Sequence, residues 1–158
     1  MNKKIIILGA VILAVGGVIF YKNINTFDPS VDTRTFKTAG EFENYYKNLD
    51  EVYKKDTYGG ATPEETLALF IDALKKGDTD LAAKYFVPEK QKQEAEDLKI
   101  GKEKGNLDFL IGYLEKASYG KENLKNFYQM TVAENGKAIF NISFVFNPST
   151  KVWKLESI

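Results

Sequence analysis

Apolar residues in this chain recur at three- and four-residue steps as far as Leu114, and at two-residue steps from Leu124 onward. The first spacing marks helices with one buried face, and the second marks half-buried strands. Because every helical pattern precedes every strand pattern, the chain has no alternation from which to build βαβ units. The fold class expected is α+β, with helices packed on an antiparallel sheet.

The strand signals fall in three stretches. Residues 124–133, LKNFYQMTVA, lead into Glu134-Asn135-Gly136-Lys137, whose Asn-Gly pair favours a two-residue type I′ hairpin. Residues 138–146, AIFNISFVF, alternate, which predicts that Ala138, Phe140, Ile142, Phe144 and Phe146 share one face. After the turn-forming Asn147-Pro148-Ser149-Thr150, the last strand sets Trp153 and Leu155 on a common face.

The helix signals are equally local. Thr38-Ala39-Gly40-Glu41 has the form of a capping box, and Phe42, Tyr45, Leu49, Val52 and Tyr53 follow along one face. That aromatic stripe either packs on the core, the expected reading, or forms a stalk that pairs with a partner chain. Thr62-Pro63-Glu64-Glu65 supplies an N-cap, a proline at the first helical position and a glutamate three residues after the cap. Leu67, Phe70, Ile71 and Leu74 form its inner face, Lys75 and Lys76 suit the carboxyl end, and Gly77 can stop it. Asp78 caps a second short helix with Leu81, Ala82, Tyr85 and Phe86 inward, broken at Val87-Pro88. Residues 89–99, EKQKQEAEDLK, predict an exposed polar helix, and Asn106 is a possible cap for a helix carrying Leu107, Leu110, Ile111 and Leu114.

The stretch TPEETLALFIDALKKGDTDLAAKYF resembles the opening helices of the nuclear transport factor 2-like superfamily, in particular its extracytoplasmic bacterial, lumazine-binding-like members. The resemblance covers roughly residues 61–158. It implies a cone-shaped domain whose curved antiparallel sheet wraps the helices and ends in the Trp-Lys-Leu strand. The interior of such a cone is either a ligand pocket or a packed core. Phe70, Tyr85, Phe140, Phe144 and Trp153 are the candidates to line it. Some members of the superfamily isomerise or cyclise small molecules with Asp, Tyr or His in the cavity, but no acid here, Asp72 and Asp108 included, aligns to such a position. Asp108 and Tyr113, five apart, do not make a same-face pair.

At the amino terminus, Ile5 to Tyr21 carries no charge. As a helix it would be about 25 Å long, just enough to span a bilayer's hydrocarbon core. Ile5, Leu8, Val11, Leu13, Val18 and Phe20 would face lipid. Lys3 and Lys4 precede it and only Lys22 follows, so the positive-inside bias places the first residues in the cytoplasm and the remainder outside. The division expected is an anchor at 1–22, a polar tether at 23–37 and an extracytoplasmic domain at 38–158 with its core at 61–158. Cleavage as a signal peptide near Ala14-Val15-Gly16 is the competing reading and would leave a secreted domain.

Composition removes much chemistry. The chain has no cysteine and no histidine, hence no disulfides, no thiolate nucleophile and no Ser-His-Asp triad. Setting aside Lys3, Lys4 and Lys22 from 22 basic residues leaves 19 against 22 acidic, a net of −3. Lysines alternate with acids and read as a solvated surface, so no nucleic-acid partner is expected. No cofactor or metal is expected either. The function expected is non-enzymatic binding of a small apolar ligand or an envelope component at a membrane, in a bacterial setting. The alternatives are an assembly subunit acting through an aromatic surface, with oligomers possible, and a cavity enzyme of isomerase or cyclase type.

Overall fold

The computed structural model describes residues 38–118, 122–124 and 126–158. The expected anchor and tether lie outside the described residues. Among the described residues, no helix is long and apolar enough to cross a membrane. The chain divides into two units, Met1–Lys47 and Asn48–Ile158. In the first, Thr38 Oγ1 accepts from the Glu41 amide at 3.2 Å, the expected cap of helix α1 (Ala39–Lys55).

The second unit is α+β, helices first and strands after. Helices α2 (Pro63–Lys75), α3 (Thr79–Ala83), α4 (Gln91–Glu103) and α5 (Leu107–Leu114) precede strands β1 (Ala117–Ser118), β2 (Glu122–Leu124), β3 (Phe127–Glu134), β4 (Lys137–Asn147) and β5 (Val152–Ser157). All pairs are antiparallel, in the order β1-β3-β4-β5, with β2 also on β3. The two residues of β1 carry no period of their own, and pairing with Val132 and Thr131 makes them a strand.

Local chemistry sets the joints. Thr62 Oγ1 accepts from the Glu65 amide at 3.1 Å, the first bond of a capping box, while Glu65 Oε2 accepts from the amide of Ala61, one residue before the cap, at 2.7 Å. Asp78 caps α3 through the Leu81 amide. Asn106 occupies the cap position of α5 but makes no side-chain cap bond, because its backbone is already helical. Asn135 and Gly136, at φ 52° and 75°, form the tight turn between Glu134 and Lys137.

The core lies between the sheet and α2, α3 and α5. Phe70, Phe86, Phe144 and Leu155 are wholly buried, with Phe70 and Phe86 edge to face at 5.5 Å. Met130, Val132 and Ile142 extend it along the sheet. The register between β3 and β4 shifts at Val132 and Ala133, setting Ala138 opposite Ala133 and leaving it exposed. Ala138 therefore leaves the face predicted for it: one extra residue in a bulge reverses the alternation.

Three residues of the α1 stripe, Leu49, Val52 and Tyr53, lie on the second unit and are more open than expected. Leu49 and Tyr53 are half-exposed and Val52 is 48% exposed. The space over the sheet is filled by the other helices, and Lys54 pairs with Asp50 and Glu51 in solvent.

The outer edge of β5 is closed by the chain itself. Trp153 N–H donates to Gly60 O, Leu155 N–H to Tyr85 O, and Val87 N–H to Leu155 O, all within 2.8 to 2.9 Å. Gly59 stands at φ +147°, where a Cβ would lie 2.2 Å from the Trp153 carbonyl oxygen, so only glycine passes there. Wholly buried Thr66 completes the seam, accepting from the Gly60 amide and donating to Trp153 O, each at 2.9 Å.

Candidate functional site

Two places combine charge with burial. The first is a polar knot around Lys154, which has no exposed surface. Its position in β5, between Trp153 and Leu155, turns its side chain away from the Leu155 face. The segment after α1 and the turns around α3 close over it. Its Nζ donates to Asp56 Oδ1 at 2.9 Å, Tyr58 O at 2.7 Å and Lys84 O at 2.6 Å. Three ammonium hydrogens thus meet three acceptors. This corrects the reading of the lysines as uniformly solvated: a strand lysine is buried here because backbone carbonyls and a carboxylate replace its water.

Asp56 is equally engaged. Its Oδ1 also accepts from the Tyr58 amide at 3.1 Å, and its Oδ2 accepts from Gln91 Nε2 at 2.8 Å. Gln91 further donates to Phe86 O at 3.0 Å. Asn147 extends the knot from the end of β4, its Nδ2 donating to Tyr53 O at 2.9 Å and its Oδ1 accepting from the Ser149 amide. Burial pulls the Lys154 ammonium below its ordinary range while Asp56 pushes back. Beside the knot, Tyr53 donates to the Glu89 carboxylate at 2.9 Å, and burial followed by that bond holds its hydroxyl far above the usual tyrosine range.

A general acid or base needs a proton or lone pair aimed at a reacting atom. Here the ammonium hydrogens and both carboxylate oxygens are committed inside the protein. The knot is a fastening that ties the chain after α1, the α3–α4 turn and β5 into one piece.

The second place is a groove of about 210 Å³, open to solvent, between α2, the end of α5 and the sheet edge. Leu67, Ala68 and Ile71 come from α2, spaced so that successive turns present one face. Leu114, Ala117 and Met130 complete apolar walls, and two carboxylates, Glu64 and Glu115, border them. Glu115 pairs with Lys75 at 2.6 Å, both half in solvent. Glu64 has no ion pair among the described residues. Lys116, the next cation along the chain, is engaged by Glu134 at 3.5 Å and stands over the Tyr113 ring.

None of the five aromatic residues named as pocket lining borders this groove, and each makes a ring contact of its own. Phe70 and Phe144 are wholly buried and Tyr85 nearly so, against Tyr58. Phe140 is half-exposed beside Tyr113 at 6.3 Å. Trp153 is half-exposed, flanked by Phe146 at 5.5 Å and Tyr128 at 6.4 Å, and Tyr128 also touches Phe144. Phe144 and Trp153 share Tyr128 as a ring neighbour. Asp72 is taken by Lys76 and Asp108 is exposed.

The knot was missed because Asp56, Gln91 and Lys154 lie far apart in sequence and each type is ordinarily a surface residue. The groove was partly visible in the inner face of α2. Its small member, Ala68, and its far wall belong to elements that meet only in the fold. Against family models, curated proteins and solved structures, the chain finds no match.

Proposed function

We propose that this is a membrane-anchored, extracytoplasmic, non-enzymatic domain of the nuclear transport factor 2-like type that binds an envelope component through the α2 groove. The anchor is the uncharged run from Ile5 to Tyr21, in contact with membrane lipid and with its amino terminus cytoplasmic. Helices preceding an antiparallel meander support the fold type.

The observation that carries the binding reading is the groove itself. It is apolar, open and bordered by carboxylates, in a domain whose buried Lys154 and Asp56 are spent on holding the fold. A small apolar ligand in the same groove is the second reading, favoured by its Leu, Ile and Met walls. An isomerase or cyclase draws the least support, because the buried Asp56 has both oxygens engaged.

Native mass spectrometry tests the site. The full chain, extracted with its membrane, is compared with Ala68→Trp, which fills the groove from an exposed position. A bound species lost in the variant is the expected result, and equal occupancy in both removes the groove from the reading. The cysteine-free sequence makes topology equally direct. A single cysteine at Lys151 should react with a membrane-impermeant maleimide in intact cells, and one at Asn2 should not; the reverse pattern overturns the orientation.

A further inference from the structure

We propose that the groove is a docking site for an extended segment of a partner protein that presents an apolar side chain and, two residues away on the same face, a lysine or arginine. The proposal rests on the binding reading above and names the chemistry of the partner.

Three independent features converge. The first is size. At about 210 Å³ the groove falls below the roughly 300 to 1,000 Å³ of enclosed small-molecule sites, and it is open, so it suits one or two side chains of a longer chain.

The second is the strand beside it. Ala117, which lines the groove, belongs to β1, the last strand on that side of the sheet, paired with β3 and with no other described strand. At the opposite side, residues 60 and 85–87 cover β5. An extended peptide laid along β1 would gain main-chain hydrogen bonds there, the usual logic of strand addition, while its alternate side chains point into the groove.

The third is charge. The groove's titratable border consists of Glu64 and Glu115, with Lys75 satisfying Glu115 and Lys116 drawn off by Glu134. One carboxylate, Glu64, is left at the amino end of α2 to meet a cation. An acidic segment would meet repulsion at that point, and a neutral one would leave the carboxylate without a partner. The apolar walls and the lone carboxylate together select an apolar residue and a basic one two positions apart, on the same face of the strand.

The test uses the full chain in phosphatidylcholine nanodiscs and fluorescein-labelled nine-residue peptides, read by anisotropy. The probe has serine at every odd position and leucine and lysine in turn at the even ones, so that both share a face; the controls replace that lysine by glutamate, that lysine by serine, and that leucine by serine. Binding is expected for leucine-lysine alone, weakening as salt is raised. Glu64→Gln should weaken it about tenfold, the effect of removing a charge-assisted contact. Ala68→Trp should abolish it, with circular dichroism confirming that the variant is folded. Hydrogen exchange should slow at Ala117 and Ser118 when the peptide is bound.

Binding indifferent to both substitutions, equal binding of the leucine-glutamate peptide, or no protection at β1 would each overturn the proposal. Absence of peptide binding overturns it too. If Ala68→Trp still removes a co-purified species from the native protein, the broader binding reading survives; if both experiments fail, both readings fall.

Discussion

The Lys154 knot and the α2 groove both set carboxylates beside apolar packing, yet they follow opposite rules. In the knot each charge is matched by a partner of fixed geometry: Asp56 meets Lys154, Gln91 and a backbone amide. In the groove Glu64 faces solvent across apolar walls with no ion pair among the described residues. A buried charge with all its bonds made holds a fold, because no bonding capacity remains for a ligand. A half-buried charge with bonds to spare is where a partner gains something by arriving. The same residue types serve structure in one place and recognition in the other, decided by satisfaction rather than by identity.

The sharpest way to break this contrast is at Lys154. Lys154→Met leaves Asp56 buried without its counter-charge, and removes the donor from Tyr58 O and Lys84 O. A loss of about 3 to 5 kcal/mol is expected in chemical denaturation, enough to unfold a marginal domain. The double variant Asp56→Leu with Lys154→Met should recover part of that loss, since no uncompensated charge remains. A single variant as stable as the parent would show that the knot fastens nothing.

Gly59→Ala probes the seam beside the knot. The new Cβ would meet the Trp153 carbonyl at 2.2 Å in a backbone conformation that disfavours side chains. A cost of about 2 to 4 kcal/mol is expected, with the β5 edge amides exchanging faster.

Glu94 on α4 lies between the two extremes: half-buried, near Asp97, with Lys90 the cation that offsets it. Burial, with Asp97 adding, pushes its carboxyl up to about 7 from 4.5. Below about pH 4.5 both states hold the proton and the folded state bears no penalty. As pH rises the unfolded chain releases its proton first, so the contribution of Glu94 falls through the window from 4.5 to about 7 and levels off above it, while the rest of the fold's stability is unaffected. Glu94→Gln should flatten that part of the pH profile and leave the protein more stable at pH 8 by about 1 kcal/mol, after discounting for partial exposure. A profile that keeps its slope in the variant assigns the titration to another group.

The smallest effect is expected in the groove. Glu64→Gln should move stability by less than about 0.5 kcal/mol, since no ion pair among the described residues depends on its carboxylate. A thermal melt that drops by several degrees would make Glu64 structural and erase the distinction drawn with Asp56.

Much of the architecture was legible residue by residue. The cap at Thr62, the stop near Gly77, the cap at Asp78 and the hairpin at Asn135-Gly136 are satisfied within a few residues, so local sequence is sufficient to define them. The burial of Phe70 and Phe144 followed from periodicity alone. What escaped depended on distant chain. Ala138 changed face because of a bulge, Leu49, Val52 and Tyr53 stayed partly open to solvent, and Lys154 was buried by carbonyls from residues 58 and 84. The ring partners of the five aromatic pocket candidates are likewise set by the packing.

The sequence by itself determined the order of helices and strands, their caps and turns, the net charge of −3 after the first segment and the absence of thiol and imidazole chemistry. These are properties of neighbouring residues and of composition, and no fold is needed to evaluate them. The tertiary structure alone decided which charges are satisfied and which are left open. A hydrogen bond between Asp56 and Lys154, 98 residues apart, and a groove that joins α2 to Met130 exist only once the backbone brings those segments within a few ångströms. Burial then fixes the outcome, because a polar group removed from water is held by its partners or is costly without them.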